Sequence, residues 1–403
     1  MAPHDLSKKK ALIIEDMAEA RIMQRKMLTD FGFNSIEIAM KAETAVELLQ
    51  NQTFDLILSD YNLGKGKDGQ QLLEEVRHSK LISNTATYLM VTAETSIEMV
   101  MGAIEYQPDG YITKPFSQAL LQRRLNKLLE TKQKLYAVNI ALDNEDYEAA
   151  IEAAKVVMEN NPALKGKCER IIGESLIELK SYSKALSLFN HILKNRKMPW
   201  ALFGKAKAYF FMNELEKSEQ SFRQLMLDNR FFVSAYDWLA KILVLQGRPE
   251  DAQKALIEAV GKSPKNILRQ IELGHVSTSI KDYTAAEMAY RRSVFLARHS
   301  CYNTVEVYLN HLQSLVFLSS SDPLSSRQRE LFNNTLKKIH DGFFDDPDTR
   351  AKTYGYDIDV HLADHDLLGA QDIFEHWLKE VDSGLSNAPT KRQTLMYKSA
   401  FEG

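Results

Sequence analysis

Two patterns of hydrophobic and polar positions divide this chain near residue 130. Before that point, short apolar runs alternate with segments of helical periodicity. The runs are Ala11–Ile14, Phe54–Leu58, Tyr88–Val91 and Tyr111–Ile112. Continuous apolar runs of this length are typical of strands that are buried on both faces of a parallel sheet. The alternation of strands and helices predicts an α/β domain with a doubly wound sheet.

Polar residues follow these runs, at the carboxyl ends of the predicted strands. They are Glu15, Asp16, Asp60, Thr92 and Lys114. In a doubly wound sheet the loops at the carboxyl ends of the strands line one crevice, so we expect these side chains to converge on a single site. Three carboxylates in one crevice repel one another unless a cation lies among them. Oxygen ligands favour Mg²⁺ as that cation.

The chemistry predicted for this crevice is phosphoryl transfer. A carboxylate can act as the nucleophile and form an aspartyl phosphate. Thr92 and Lys114 would then donate hydrogen bonds to the phosphoryl oxygens, while Mg²⁺ would neutralise part of their charge. Pro115 follows the lysine, and a cis bond before it is one way to fix the direction of that side chain.

Residues 9–130 resemble the receiver domain of two-component response regulators, on the strength of these residues in this order, and the resemblance implies a flavodoxin-like fold. The resemblance implies that Asp60 is the phosphate acceptor and that a sensor histidine kinase is the phosphodonor. It also implies that Thr92 and Lys114 bind the phosphoryl group. The aromatic residue that turns inward on activation would be Tyr111.

The same resemblance implies the magnesium ligands and the lifetime of the phosphoryl group. The ligands would be Glu15, Asp16, Asp60 and the backbone carbonyl of Asn62. In the family, the residues two positions after the acceptor and two after the switch hydroxyl influence attack by water. Here these residues are Asn62 and Glu94. This polar and acidic pair resembles that of fast self-dephosphorylating members, so we expect a short-lived phosphoryl state.

The loop after the acceptor departs from the family's pattern. Gly69 lies nine residues after Asp60 where eight are usual, and Gly64 lies near the usual proline. We therefore expect a longer and looser loop with altered dynamics. Loss of phosphorylation is not expected, because every charged group is present. The segment 64–67 lacks the spacing of a Walker phosphate-binding loop, which argues against that alternative.

Composition narrows the possible classes of protein. A chain of 403 residues implies two or three domains, and a net charge of −3 argues against a protein that seeks nucleic acid. Cys168 and Cys301 lie far apart, which fits free thiols in a reducing cytosol. No apolar stretch reaches the ~18 residues of a membrane span, and Met1–Lys10 is too polar for a signal peptide. We expect a bacterial cytoplasmic protein without membrane insertion.

After residue 130 the pattern predicts only helices, with self-similarity at a fixed period. Small residues recur at spacings of 35, 33, 34 and 34, namely at Ala150, Ala185, Ser218, Ala252 and Ala286. This is the period of tetratricopeptide repeats, which residues 131–300 resemble. Four positions after the small residue, Phe189, Phe222, Leu256 and Tyr290 would fill the space between paired helices. Pro162 and Pro264 lie where the second helix of a repeat ends.

Residues 301–403 are less regular but also helical. Ser319–Ser326 predicts a long turn, and a degenerate or capping repeat is indicated by Ala370 with Phe374 four residues later. His361 and His365 are spaced to share one helix face. No third ligand accompanies them, so an ordinary polar face is favoured over a metal site.

The output predicted from these repeats is protein binding. The sequence shows no basic recognition helix, no signature of cyclic-dinucleotide synthesis and no metal-carboxylate array of a phosphodiesterase. Stacked helix pairs present an extended surface for partner proteins, which favours a phosphorylation-controlled adaptor over an enzyme. Two alternatives stay open: an enzyme such as a phosphatase in the C-terminal region, and a phosphate sink for a kinase. A homodimer also stays open.

The junction between the two parts of the chain carries no Pro or Gly from Ser117 through Asn161. Leu121, Leu125 and Leu128 lie at helical spacing within it. We therefore expect the last receiver helix to run on into the first repeat and to transmit movements of Thr92 and Tyr111. Independent tumbling of the two parts is the alternative.

Overall fold

The computed structural model describes residues 5–93 and 105–402. The fold divides into two compact units. The first runs to Arg248 and also includes Glu258–Lys265 and His299–Cys301. The second comprises Pro249–Ile257, Asn266–Arg298 and the residues from Tyr302 onward. None of the helices in the described ranges is both long enough and apolar enough to cross a lipid bilayer.

The first unit begins with a parallel five-stranded sheet in the order β2-β1-β3-β4-β5. The strands are β1 Lys10–Ile14, β2 Ser35–Ala39, β3 Leu56–Asp60, β4 Thr87–Thr92 and β5 Gly110–Thr113. Helices α1 Ala18–Asp30, α2 Ala42–Asn51, α3 Gly69–His78 and α4 Gln118–Lys134 accompany it. The predicted doubly wound α/β fold is confirmed. The sequence analysis missed β2, an edge strand whose side chains are mostly only half-buried.

Alternate side chains of the strands enter two separate cores, one on each face of the sheet. Leu12, Ile14 and Met90 pack on the face that also holds side chains of α2 and α3. Ile13, Leu58 and Val91 pack on the other face, against α1 and α4. Burial on both faces explains why these strands appear in the sequence as continuous apolar runs.

A continuous helix from the receiver into the repeats, as expected from the sequence, is not what the structure contains. Helix α4 ends at Lys134, and α5 spans Tyr136–Asp143. Leu135 between them has φ −93° and ψ 10°. This conformation turns the chain so that Leu135 is buried with Val138 and Ile151. The expectation of a single helix was wrong, although no flexible linker intervenes.

Paired helices make up the rest of the first unit. They are α5, α6 Tyr147–Asn160, α7 Lys165–Glu178, α8 Tyr182–Asn195, α9 Pro199–Phe211, α10 Leu215–Asp228 and α11 Ser234–Leu245. A short 3₁₀ turn, Pro162–Leu164, follows α6. Helix α12, Pro249–Lys262, has residues in both units.

The periodic residues predicted from the sequence lie in the helix pairs as expected. All five small residues, from Ala150 to Ala286, are fully buried. Phe189 fills the gap beside Gly173 and Gly204, where an added Cβ would come within 2.4 Å of its ring. Tyr290 lies against Gly274 in the same way, also at 2.4 Å. The aromatic residue therefore occupies the space that a small residue leaves between helices.

One recurring feature of the pairs was not anticipated. A residue in the left-handed region lies five positions before each small residue, in the turn that joins the two helices. These residues are Glu145, Lys180, Asn213, Gly247 and Lys281. Non-glycine residues adopt positive φ only uncommonly, so this recurrence is a structural signature of the repeat.

The second unit is entirely helical in its described residues. Its further helices are α13 Ile267–Ser279, α14 Tyr283–Ala297, α15 Val305–Ser319, α16 Ser326–Gly342, α17 Pro347–Ala363, α18 Leu367–Asp382 and α19 Lys391–Glu402. The predicted long turn separates α15 from α16 and ends in a capping box formed by Ser325 and Gln328. Ala370 and Phe374 are buried, as the degenerate repeat requires.

His361 and His365 do not share a helix face. His361 lies in α17, whereas His365 lies beyond the end of that helix with φ +58°. It occupies the left-handed turn position five residues before Ala370, matching the turns of the other pairs. His361 instead contacts Asp366, with 2.8 Å between Nδ1 and Oδ2. The spacing of the two histidines therefore reflects a turn between helices.

Candidate functional site

Three acidic residues meet at the carboxyl ends of β1 and β3. Glu15 and Asp16 follow β1, and Asp60 is the last residue of β3. One carboxylate oxygen from each lies within 4.8 Å of the others. Glu15 is fully buried, Asp60 is 6% exposed, and Asp16 is exposed to solvent. The convergence predicted from the sequence is observed for these residues.

Lys114 joins two of these carboxylates from the end of β5. Its Nζ donates hydrogen bonds to Glu15 Oε2 and to Asp60 Oδ2, each at 2.8 Å. Its backbone amide donates to the carbonyl of Thr92 at 2.6 Å, and the bond to Pro115 is cis. Burial by itself lowers the pKa of Lys114, but the hydrogen bonds to Asp60 and Glu15 outweigh burial and raise it. The ammonium therefore stays charged beside the acceptor.

Glu15 is the most constrained carboxylate of the cluster. Burial raises its pKa and the Asp60 charge raises it further, while the hydrogen bond from Lys114 opposes both. Gln24 Nε2 donates to Oε2 at 2.9 Å. The other oxygen, Oε1, is buried and has no hydrogen-bond partner in the described parts of the chain. A buried oxygen of this kind beside two further carboxylates fits a hard cation such as Mg²⁺.

The Asp60 carboxylate is also held by the loop that follows it. The amide of Tyr61 donates to Asp60 Oδ1 at 2.8 Å and to the carbonyl of Val91 at 2.8 Å. Gly69 donates to the Tyr61 carbonyl at 2.7 Å. A Cβ on Gly69 would lie 2.2 Å from the Asp60 carbonyl, so no larger residue fits there without movement.

The contacts of the loop after Asp60 argue against the loose loop that was expected. Asp68 forms a capping box with Gln71 at the start of α3. Lys67 pairs with Glu75 on the same helix. Asn62, whose carbonyl is the predicted fourth magnesium ligand, lies within this anchored segment.

The two predicted switch residues lie on β4 and β5. Thr92 is fully buried at the end of β4, one residue beyond Val91, the register partner of Asp60. Tyr111 is half-buried and packs against the core that contains Tyr88 and Met90. Their movement on activation stays a prediction. Glu94, the second residue of the predicted lifetime pair, lies outside the described residues.

Gln24 is a site residue that the sequence analysis missed. It is 1% exposed and lies on the buried face of α1 with Met27 and Leu28. Its hydrogen bond orients Glu15. A polar residue within an otherwise apolar helical stripe was the available signal, because such a residue must find a partner in the interior.

The profile of the response regulator receiver domain family matches residues 11–126. Over 121 residues the chain is 34% identical to chemotaxis protein CheY-3 of Vibrio cholerae, covering 30% of this chain and 92% of that relative. The chain therefore belongs to the response regulator family through its N-terminal receiver domain. Receiver domains generally bind Mg²⁺ at an acidic pocket, and Glu15, Asp16 and Asp60 form an acidic cluster in this chain.

Two solved structures are each similar to a part of the chain. A receiver domain protein from Methanospirillum hungatei is 26% identical with a TM-score of 0.29, covering 31% of this chain and 97% of its own. A tetratricopeptide repeat protein from Parabacteroides merdae is 14% identical with a TM-score of 0.38, covering 67% of this chain and 97% of its own.

Proposed function

We propose that this chain is a response regulator that accepts a phosphoryl group on Asp60 and binds a protein partner through its helical repeats. The observation that carries the first part is the position of Lys114, whose Nζ lies 2.8 Å from both Asp60 and Glu15. An ammonium held there can donate hydrogen bonds to the phosphoryl oxygens once Asp60 carries an acyl phosphate. We assign the receiver to residues 9–130, the repeats to 131–300 and a capping region to 301–403.

The proposed transfer uses a carboxylate oxygen of Asp60 as the nucleophile. This oxygen forms a bond to the phosphorus of a kinase phosphohistidine, the P–N bond breaks, and its electron pair returns to the imidazole nitrogen. Lys114 and the Thr92 hydroxyl donate hydrogen bonds to the transferred oxygens. Mg²⁺, held by Glu15, Asp16, Asp60 and the Asn62 carbonyl, would neutralise phosphoryl charge when bound.

A small phosphodonor tests the acceptor directly. With acetyl phosphate and Mg²⁺, intact-mass measurement should show one acid-labile phosphoryl group on the wild-type chain and none on Asp60→Asn. Asp30→Asn is the matched control, because Asp30 is a receiver carboxylate that bonds Gln118 away from the cluster. It should be modified like wild type. Modification that persists in Asp60→Asn would refute the assignment.

The first unit also contains a cavity suited to a protein segment. Its volume is about 440 Å³, and aromatic side chains of the repeats line it, among them Trp200, Phe203 and Phe231. Aromatic residues are enriched in protein interfaces. The receiver residues Glu105 and Gln107 line the same cavity. A ligand in this cavity would therefore touch both the repeats and the receiver.

Partner capture tests the adaptor role. Wild-type and Asp60→Asn proteins, each treated with phosphodonor in bacterial cytoplasmic extract, should recover a stoichiometric partner in different amounts by mass spectrometry. Phe203→Ala in the cavity should reduce recovery, whereas Leu227→Ala, at an 81% exposed position, should not. Equal recovery by all four proteins would contradict a phosphorylation-controlled adaptor.

A further inference from the structure

The segment after α12 contacts the loop that follows the phosphate acceptor. Lys265 Nζ donates to Asp68 Oδ2 at 2.8 Å and to the Tyr61 hydroxyl at 3.2 Å. It also lies 5.2 Å from the centroid of the Tyr61 ring, within the range of a cation–π contact. These three residues all belong to the first unit. A lysine about 200 positions downstream thus reaches the receiver beside its acceptor.

Tyr61 and Asp68 are the two ends of the acceptor loop. At one end, the Tyr61 amide donates to Asp60 Oδ1 at 2.8 Å. At the other, Asp68 Oδ1 accepts from the Gln71 amide at 2.9 Å and so starts α3. The Lys265 ammonium therefore joins both ends of the loop that includes Asn62. Its contact with Tyr61 is one residue removed from the phosphate acceptor itself.

This contact differs from a freely exposed ion pair. The side chains of Lys265 and Asp68 are 28% and 23% exposed, and Tyr61 is fully buried. Partial burial reduces screening by solvent, and one ammonium contacts both Asp68 and Tyr61. Two residues earlier, Ser263 Oγ donates to Glu105 Oε2 of the receiver at 3.0 Å. The segment 263–265 is therefore docked on the receiver at two points.

We propose that Lys265 is a positioning residue for the acceptor loop and that it links the phosphorylation state of Asp60 to the docking of segment 263–265. The proposal rests on the proposed function, since it assumes phosphorylation of Asp60. Lys265 bonds to both ends of the loop, so it stabilises the arrangement in which the Tyr61 amide donates to Asp60 Oδ1. A phosphoryl group bonded to that oxygen would take away the acceptor of the Tyr61 amide and would so disturb one end of the loop.

Linkage between the two events is reciprocal. Docking of Lys265 favours the loop arrangement that a phosphoryl group would disturb, so docking weakens binding of the phosphoryl mimic by some factor. The mimic must then weaken the docking by the same factor. A partly exposed ion pair corresponds to a factor of about two- to fivefold. The repeat region would then sense phosphorylation through this segment, in addition to any movement of Thr92 and Tyr111.

Hydrogen–deuterium exchange of the full chain tests the positioning role without metal or phosphodonor. In Lys265→Met, amides of residues 61–69 should exchange about two- to fivefold faster than in wild type. Lys265→Arg should restore wild-type exchange, because the charge is retained. Lys262→Met is the matched control. Lys262 is 19% exposed, and its contacts are Glu258 and the Tyr236 ring.

A second experiment tests the link to phosphorylation and uses beryllofluoride with Mg²⁺ as a non-covalent mimic of the phosphoryl group. It should speed exchange in residues 258–265 of the wild-type chain but not of Asp60→Asn. Lys265→Met should bind the mimic about two- to fivefold more tightly than wild type. The proposal would be overturned if the amides of residues 61–69 exchanged at the wild-type rate in Lys265→Met. It would also be overturned if these amides exchanged equally fast in Lys262→Met and Lys265→Met. Failure of the wild-type chain to accept a phosphoryl group would refute the proposed function. The exchange measured without metal or phosphodonor would still show whether Lys265 positions the loop.

Discussion

The receiver site and the closest contacts between the repeat helices are built from different kinds of residue. The receiver buries Glu15 and Asp60 beside one another and joins them through Lys114. In the repeats, the closest approaches between helices place small residues such as Gly204 against aromatic residues such as Phe189. Buried like charges reduce stability unless they are paired, whereas close apolar packing increases it. The buried carboxylates of the receiver site thus lower the stability of the fold, and the close packing of the repeat helices raises it.

The strongest test of this contrast is Gly69→Ala in the receiver. An added Cβ would lie 2.2 Å from the Asp60 carbonyl, so the acceptor backbone must move. Because displacement of a reacting group slows transfer steeply, we expect phosphorylation by acetyl phosphate to fall on the order of tenfold or more. Gly166→Ala, where an added Cβ meets nothing within 4 Å, should react like wild type. Unchanged phosphorylation of Gly69→Ala would show that the close contact does not position the acceptor.

Gly204→Ala makes the corresponding change in the repeats. Its Cβ would come within 2.4 Å of the Phe189 ring, and overpacking of this kind costs about 1–3 kcal/mol. The midpoint of urea unfolding should fall, while the initial rate of Asp60 phosphorylation stays unchanged. Gly261→Ala lies in open space on a helix and should instead stabilise by roughly 0.5–1 kcal/mol. A loss of phosphorylation in folded Gly204→Ala would contradict the separation of the two roles.

Glu15→Gln gives a smaller effect whose size depends on pH. Burial first, and then the Asp60 charge, raise the pKa of Glu15. The folded chain therefore binds this proton more tightly than the unfolded chain, so the ionised carboxylate lowers stability at neutral pH. The variant should have a higher Tm than wild type at pH 7, and the difference should shrink toward about pH 4, where the unfolded glutamate also takes up its proton.

Glu19→Gln, on an exposed position of α1, is the control for that experiment and should leave the difference in Tm near zero at both pH values. Magnesium affinity, measured by calorimetry, should fall in Glu15→Gln alone. A Glu15→Gln protein less stable than wild type at pH 7 would show that the pair with Lys114 outweighs the cost of burying the carboxylate.

Much of the receiver could be predicted from the sequence, because its signals are local. Apolar runs mark β1, β3 and β4 since these strands are buried on both faces. Ser35–Ala39 escaped notice because an edge strand is only half-buried and lacks such a run. Gln24 was missed for a different reason, since its role depends on which side chain it meets in the fold.

The repeats show the same division. Small residues spaced by 33 to 35 positions predicted the helix pairs, because every pair must solve the same packing problem. The left-handed turns at Glu145, Lys180 and Asn213 have no shared residue type, so the sequence did not reveal them. His365 occupies such a turn, which is why its spacing from His361 suggested a helix face that does not exist.

By itself, the sequence determined which side chains are available and which positions face the interior. The spacing of apolar residues shows the second of these, because it follows the buried side of each strand or helix. It specified the acidic residues, the lysine and the repeat period. Only the tertiary structure decided that the chain turns at Leu135, that Gln24 orients Glu15 and that Lys265 reaches Tyr61 and Asp68. Such contacts join residues far apart in the chain, and they depend on the packing of all the elements between them.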